Sequence, residues 1–331
     1  MAERPTPHDD RVIDFHVHSL EREVFVASTN KTVFTGFGAH PVNEPRPGAR
    51  ALLERMFEPE RIIEDMDARG IDASVVTAST VLQGTSWATP DHDLALCQRC
   101  NDQSARWVGA FPDRLVGSIV LPLQAPDLAV RELERCIGLG LRVVNASSSY
   151  GGVYLGDPIY ADFWSEVCRH HLTAWVHPEG VRDPWFQRYG LWNSLGQSIE
   201  ETRCMASLIY EGVMTRHPTL KVVMAHGGGY FPHYMGRVDR NAANRPDSIR
   251  HLEGARPSDL LKRFYYDTCV YDPAVLRVLI ERVGPSQLVM GSDYPVGEKD
   301  PVGWLREAGL EGENLRAVCG GNAERLLSDS P

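Results

Sequence analysis

The feature that most limits what this chain can fold into is an alternation. A short, apolar, β-rich run is followed by an amphipathic helical stretch, again and again. Eight such runs occupy residues 12–18, 71–79, 115–123, 141–147, 172–177, 221–226, 264–270 and 288–293. Helical patterns fill 60–69, 91–111, 127–139, 157–171, 199–217, 232–241, 273–283 and 314–327. Strands that alternate with helices must lie parallel, because each helix carries the chain back to the end where the previous strand began. Eight units favour a closed α/β barrel, a (β/α)8 or TIM barrel, over an open doubly wound sheet. The 331 residues suit one such domain, spanning 1–331. Gly70, Gly140 and Gly284 follow helical patterns, where a left-handed cap is wanted. Pro158, Pro232 and Pro273 fall near helix starts. No G-x-G-x-x-G follows the first run, so a dinucleotide-binding sheet has no support.

One segment breaks the rhythm. Residues 19–58, rich in Gly, Pro and Asn, form a long insertion after strand 1. Loops that follow barrel strands lie on the catalytic face, so this insertion is expected to act as a lid or substrate-binding element, with His40 inside it.

Charge and cysteines narrow the function classes. A formal net charge of -10 argues against nucleic-acid or anionic-membrane partners, which need basic surface. No apolar run approaches the roughly 18–20 residues of a membrane span. The polar first ten residues show no signal-peptide core, and the 7 scattered cysteines read as reduced thiols, so a cytoplasmic location is expected. Cys97 and Cys100 have C-x-x-C spacing, but lie in a helical pattern without a second such pair. Ordinary helix packing is the expectation for them.

The chemistry-bearing residues gather at strand ends. Asp14-Phe15-His16-Val17-His18 ends the first run, and alternation puts His16 and His18 on one side of their strand. His177 ends the fifth run, His226 the sixth and Asp293 the eighth. In a barrel these ends share one rim, and polar groups there read as catalytic. Imidazoles and a carboxylate make an N/O set suited to one divalent ion, zinc first, with manganese, cobalt or iron as substitutes. A second ion would need a bridging acid or modified lysine near strand 4 or 5. Strand 4 offers only Asn145, Ser147 and Ser148, although Glu179 follows His177. The ligands are read as His16, His18, His177 and Asp293, leaving His226 as an acid/base whose pKa a nearby cation would depress. The opposite assignment, His226 as ligand and His177 as base, stays open.

With these residues in view, the sequence resembles the amidohydrolase superfamily, in the branch of α-amino-β-carboxymuconate-ε-semialdehyde decarboxylase. The likeness runs from Val12 to Leu326. It rests on Asp14-Phe15-His16-Val17-His18, Leu121-Pro122-Leu123-Gln124-Ala125-Pro126, Val176-His177-Pro178, Ala225-His226-Gly227-Gly228-Gly229, Gly236-Arg237 and Gly291-Ser292-Asp293-Tyr294-Pro295. The resemblance implies a mononuclear metal centre without organic cofactor, held by His16, His18, His177 and Asp293, with His226 as acid/base; either His226 or Asp293 is a catalytic candidate for delivering the proton. It implies non-oxidative decarboxylation of an aromatic or unsaturated carboxylate. A hydrolase of a C–C, lactone or amide bond on the same site is the alternative. It also implies a homodimer in which Arg245 reaches the neighbouring active site, with Arg237 a second carboxylate-binding candidate and Trp192 an aromatic lining residue. Thr35 stands where the branch carries a same-subunit arginine, which leaves the substrate itself open.

Overall fold

A computed structural model describes residues 11–32 and 49–328. His40 and Thr35 therefore lie outside the described residues. Eight strands form one sheet in sequence order: β1 (Ile13–Ser19), β2 (Ala73–Ala78), β3 (Leu115–Ile119), β4 (Val143–Ala146), β5 (Thr173–Val176), β6 (Lys221–Met224), β7 (Tyr265–Asp267) and β8 (Leu288–Val289). Every neighbouring pair is parallel. The ring closes through backbone bonds between β1 and the chain just past β8. Phe15 N–H donates to Met290 O at 2.8 Å, and His18 N–H to Tyr294 O at 3.0 Å. The expected (β/α)8 architecture is the observed one.

Two apolar layers hold it. Ile13, Phe15, Ala73, Val75, Val143, Trp175, Val223 and Val289 pack inside the ring. Val17, Val76, Val144, Ala174, Val176 and Met224 face outward onto the helices. The C-terminal helix Asn322–Leu327 closes the end away from the site, with Ala323 and Leu326 joining the inner cluster. Leu326 O there accepts from Thr173 Oγ1 at 2.8 Å and Lys221 Nζ at 3.2 Å. Gly320 lets the turn before this helix pass under the barrel, since a Cβ there would stand 1.8 Å from Arg11 O. Cys97 and Cys100 are buried in the helix Pro90–Ala110, the packing role expected of them.

The insertion after β1 contains regular structure that its composition does not advertise. A helix runs Arg22–Ser28, its first turn capped by Glu21, which accepts from Val24 N–H at 2.7 Å. A second runs Ala49–Arg55. No helix among the described residues is long and apolar enough to cross a membrane.

The strand β1 departs from simple alternation. Asp14 stands opposite Ser74 and Val17 opposite Val76, so three steps on β1 match two on β2. This is a β-bulge, and it changes which residues point inward. Before it, Ile13 and Phe15 face the interior. After it, Val17 faces the helices and His16 and His18 face in. Asp14 satisfies the backbone N–H groups that this irregularity leaves over. Its Oδ1 accepts from His16 N–H at 3.1 Å and Ser292 N–H at 2.9 Å, while Ser292 Oγ donates to Oδ2 at 2.5 Å.

Phe15 is fully buried beneath the site, with its ring 6.0 Å from Trp175. Phe15→Ala is expected to cost roughly 3–5 kcal/mol of unfolding free energy in chemical denaturation, the usual toll of emptying a closed interior.

Candidate metal centre

Four imidazoles and one carboxylate meet at the rim of the barrel. His16 Nε2 lies 3.2 Å from His18 Nε2 and 3.3 Å from Asp293 Oδ1, and His18 Nε2 lies 3.1 Å from the same oxygen. The His177 ring centroid is 5.2 Å from that of His16, 4.9 Å from His18 and 5.0 Å from His226. Ligand atoms of His16, His18 and Asp293, and of His16, His177 and His226, fall within 4.8 Å of one another. Donors about 2.1 Å from one ion, at bond angles of about 90–110°, stand roughly 3.0–3.4 Å apart. The spacing and the donor set therefore fit a single divalent ion.

The local backbone is built to reach this convergence. His177 follows β5 directly. His226 does not end its strand, as the sixth run suggested. It lies in a tight turn past β6 with φ 47° and ψ 41°, followed by Gly227 at φ 62° and ψ 19°. The left-handed region is costly for a side chain with a Cβ, and such strain collects at functional sites. The glycines that follow are obligatory, because a Cβ on Gly229 would stand 2.3 Å from Ser198 O. Asp293 also carries a left-handed φ, of 57°, beyond the short β8. Gly291 lets the chain after β8 press against β1, since a Cβ there would be 2.9 Å from the His16 Cβ.

Behind four of the five side chains stands a partner; the buried Nδ1 of His18 has none among the described residues. His16 Nδ1–H donates to Asp267 Oδ2 at 2.7 Å, which turns the Nε2 lone pair toward the centre. Thr80 Oγ1 donates to His177 O at 3.2 Å and so receives His177 Nδ1–H at 3.1 Å, leaving His177 Nε2 as a lone-pair donor. His226 Nδ1 faces Glu201 Oε1 at 2.5 Å, which directs Nε2 into the cluster. Tyr271 donates its hydroxyl to Asp293 Oδ2 at 2.6 Å. None of these four partners was singled out in the sequence. Asp267 had the one usable signal, an acid inside the seventh apolar run, where the strand proves to end. Thr80 opens the short helix Thr80–Gln83, Glu201 lies in the helix Gly196–Tyr210 and Tyr271 in a loop, with no pattern to mark them.

The electrostatics divide the histidines into two kinds. Burial holds the His177 imidazole well below its usual pKa, and the adjacent imidazoles add to it. Burial likewise lowers His18. Both favour the neutral form that binds metal. His226 behaves oppositely. Burial opposes its charge, but the Glu201 carboxylate outweighs that and raises it to about 10. Burial in turn pushes Glu201 up to about 7, so the pair shares one proton that sits on the imidazole. A cation beside His226 would counter this, so Glu201 and the ion pull the imidazole in opposite directions. Burial alone would raise Asp293, yet His16 and the hydrogen bond from His18 hold it well below the carboxylate range.

The remaining candidates are placed as follows. Glu179 receives Ser86 Oγ at 3.0 Å and Arg182 Nη2 at 3.1 Å, and is not among the converging donors. Trp192 is 8% exposed, and its ring lies so close to Gly180, three residues past His177, that a Cβ there would stand 2.9 Å from it. Arg237 lies exposed on the helix Met235–Ala243, and Arg245 exposed in the turn beyond it. Among the described residues, neither guanidinium is brought to the cluster by a hydrogen bond or ion pair.

The family model described as Amidohydrolase matches residues 13–328. A 2-amino-3-carboxymuconate-6-semialdehyde decarboxylase of Dictyostelium discoideum is 32% identical over 287 residues, covering 85% of this chain and 80% of that protein. A gamma-resorcylate decarboxylase of Rhizobium sp. (strain MTP-10005) is 27% identical over 282 residues, covering 79% of this chain and 84% of its own. In three dimensions, 5-carboxyvanillate decarboxylase from Sphingomonas paucimobilis aligns with a TM-score of 0.85 at 25% identity, over 96% of this chain and 99% of that one. With its rim of histidines, its closed parallel barrel and a family match over nearly its whole length, this chain belongs to the amidohydrolase family.

Proposed function

We propose that this protein is a metal-dependent, non-oxidative decarboxylase of a small aromatic or unsaturated, muconate-like carboxylate. The observation that carries the reading is the cluster of His16, His18, His177, His226 and Asp293 in a chain 32% identical to a carboxymuconate-semialdehyde decarboxylase over 85% of its length. His16, His18, His177 and Asp293 hold the ion, for which the donor set favours zinc. Bound there, the ion supplies Lewis acidity, drawing substrate oxygens into place and offsetting negative charge as carbon dioxide departs.

The reaction breaks one C–C bond, releases carbon dioxide and leaves an electron pair that must take up a proton. His226 is the better placed donor. Glu201 keeps its Nδ1 engaged and favours its charged form against the pull of the ion, which leaves Nε2 as the atom to carry a proton. Asp293 is held as a carboxylate, with Oδ1 beside His16 and His18 and Oδ2 accepting from Tyr271. It suits a ligand better than an acid. Trp192 lines the pocket behind His177. Arg245 serves the substrate carboxylate of a neighbouring copy in a homodimer, which accounts for an exposed guanidinium without a partner among the described residues; Arg237 is the second candidate. Seven free cysteines suit a reducing, cytoplasmic location.

The primary test is carbon dioxide release across hydroxybenzoates and carboxymuconate semialdehydes, with the metal content measured alongside. Release from at least one compound, abolished by chelation and restored by zinc, is the expected result. Substrate turnover without carbon dioxide would return the reading to a hydrolase.

His226→Gln is expected to lower kcat by roughly 10²–10⁴-fold while the protein keeps its ion, measured by metal analysis. Loss of the ion would instead make His226 a ligand and His177 the base. Arg245→Ala and His226→Gln, each inactive alone, are expected to regain activity when subunits are mixed and exchanged. No recovery would mean that Arg245 does not cross between copies.

A further inference from the structure

The seventh strand and the loop after it brace two of the proposed ligands. Asp267, at the end of β7, holds Nδ1 of His16. Four residues on, Tyr271 reaches Asp293. Its hydroxyl lies 2.6 Å from Oδ2, the carboxylate oxygen turned away from the imidazoles, while Oδ1 lies 3.1 Å from His18 Nε2 and 3.3 Å from His16 Nε2. The two oxygens of Asp293 thus have separate partners.

The backbone is arranged around this contact. Tyr271 has φ 53° and Asp293 φ 57°, so both ends of the hydrogen bond sit in the left-handed region. A tyrosine adopts that conformation only where its surroundings hold it there. Gly297 completes the arrangement, since a Cβ at that position would stand 2.5 Å from Tyr271 Oη and 2.6 Å from the Asp293 Cβ. Gly297 N–H and Val296 N–H also donate to Asp293 O, at 2.8 and 2.9 Å. Tyr271 as a residue is 51% exposed, so it is not there to fill a core.

We infer that Tyr271 is a positioning residue for the metal centre: it occupies Oδ2 of Asp293, so that this carboxylate offers the ion one oxygen and leaves a coordination position for substrate. The inference rests on the proposed assignment of Asp293 as a ligand. A carboxylate free at both oxygens can close on an ion as a chelate and fill the position that substrate needs. Hydrogen-bond partners behind metal ligands are commonly worth 10–100-fold in affinity or activity.

The test uses the full-length protein and Tyr271→Phe, which keeps the ring and removes only the hydroxyl. Apo-protein is titrated with zinc by competition against a chelator, and with cobalt(II) while its visible absorption is followed. Tyr271→Phe is expected to fold normally by circular dichroism and to change its zinc Kd by roughly 10-fold or more. Its cobalt(II) bands should weaken, as coordination number rises when Oδ2 joins the ion. With a decarboxylated substrate in hand, kcat should fall more than KM rises. An unchanged Kd together with wild-type cobalt(II) bands would overturn the role of Tyr271. A wild-type protein that takes up neither ion would overturn the metal-centre reading itself, and the two failures are therefore distinguishable.

Discussion

The bulge in β1 is the constraint on which the rest of the site depends. A strand of unbroken alternation that buried Ile13 and Phe15 inside the barrel would turn His16 and His18 outward, onto the helices. One extra residue between Asp14 and Val17 reverses the phase, so the same strand contributes both to the barrel floor and to the metal centre. Asp14 makes this tolerable, because its carboxylate takes up the N–H groups of His16 and Ser292 that the irregular pairing leaves over. It also ties β1 to the chain after β8, and thereby sets Asp293 against the histidines. Buried backbone donors without partners are costly, which gives this aspartate a structural task distinct from that of the other rim acids.

Around the converging side chains stand three buried polar groups and one exposed tyrosine, each set against one of them. Asp267 and Thr80 fix imidazole tautomers, Glu201 orients His226, and Tyr271 separates the two oxygens of Asp293. The distribution of charge is informative. Asp267 and Asp293 are both held as carboxylates, while His18 and His177 are pressed toward neutrality by burial. Buried negative charge beside neutral imidazoles is a poor arrangement on its own and a good one for a divalent cation. His226 differs, because Glu201 stabilises its charged form. The same pocket thus contains lone-pair donors and one imidazole able to carry a proton, and the difference arises from which acid lies behind which ring.

The floor of the site separates the chemistry from the fold. Phe15 and Trp175 fill the interior directly beneath the histidines, with the Trp175 ring 4.8 Å from that of His16. Below them the C-terminal helix caps the barrel. Water therefore approaches from the rim, where the loops after the strands lie, and those loops are free to vary in what they present to a substrate.

Much of this was legible in the sequence for physical reasons. Parallel strands buried on both faces must be short apolar runs, and the helices between them must be amphipathic, so eight alternations declared a barrel. The candidate donors lie at or just past strand ends because that is where a barrel exposes side chains to one shared space, so His16, His18, His177, His226 and Asp293 could be read as a set. What sequence spacing does not encode is how side chains from distant elements meet. Glu201 comes from a long helix, Thr80 from a single helical turn after β2 and Tyr271 from a loop, and each matters only through a partner 22 to 97 residues away. The phase reversal in β1 is hidden too, because a bulge is a property of two strands in register. The sequence by itself determined the architecture and the kinds of donor at the rim. Only the tertiary structure decided which imidazoles burial presses toward neutrality, which one has a carboxylate behind it and which oxygen of Asp293 faces the histidines, because these depend on burial and on neighbours that folding alone brings together.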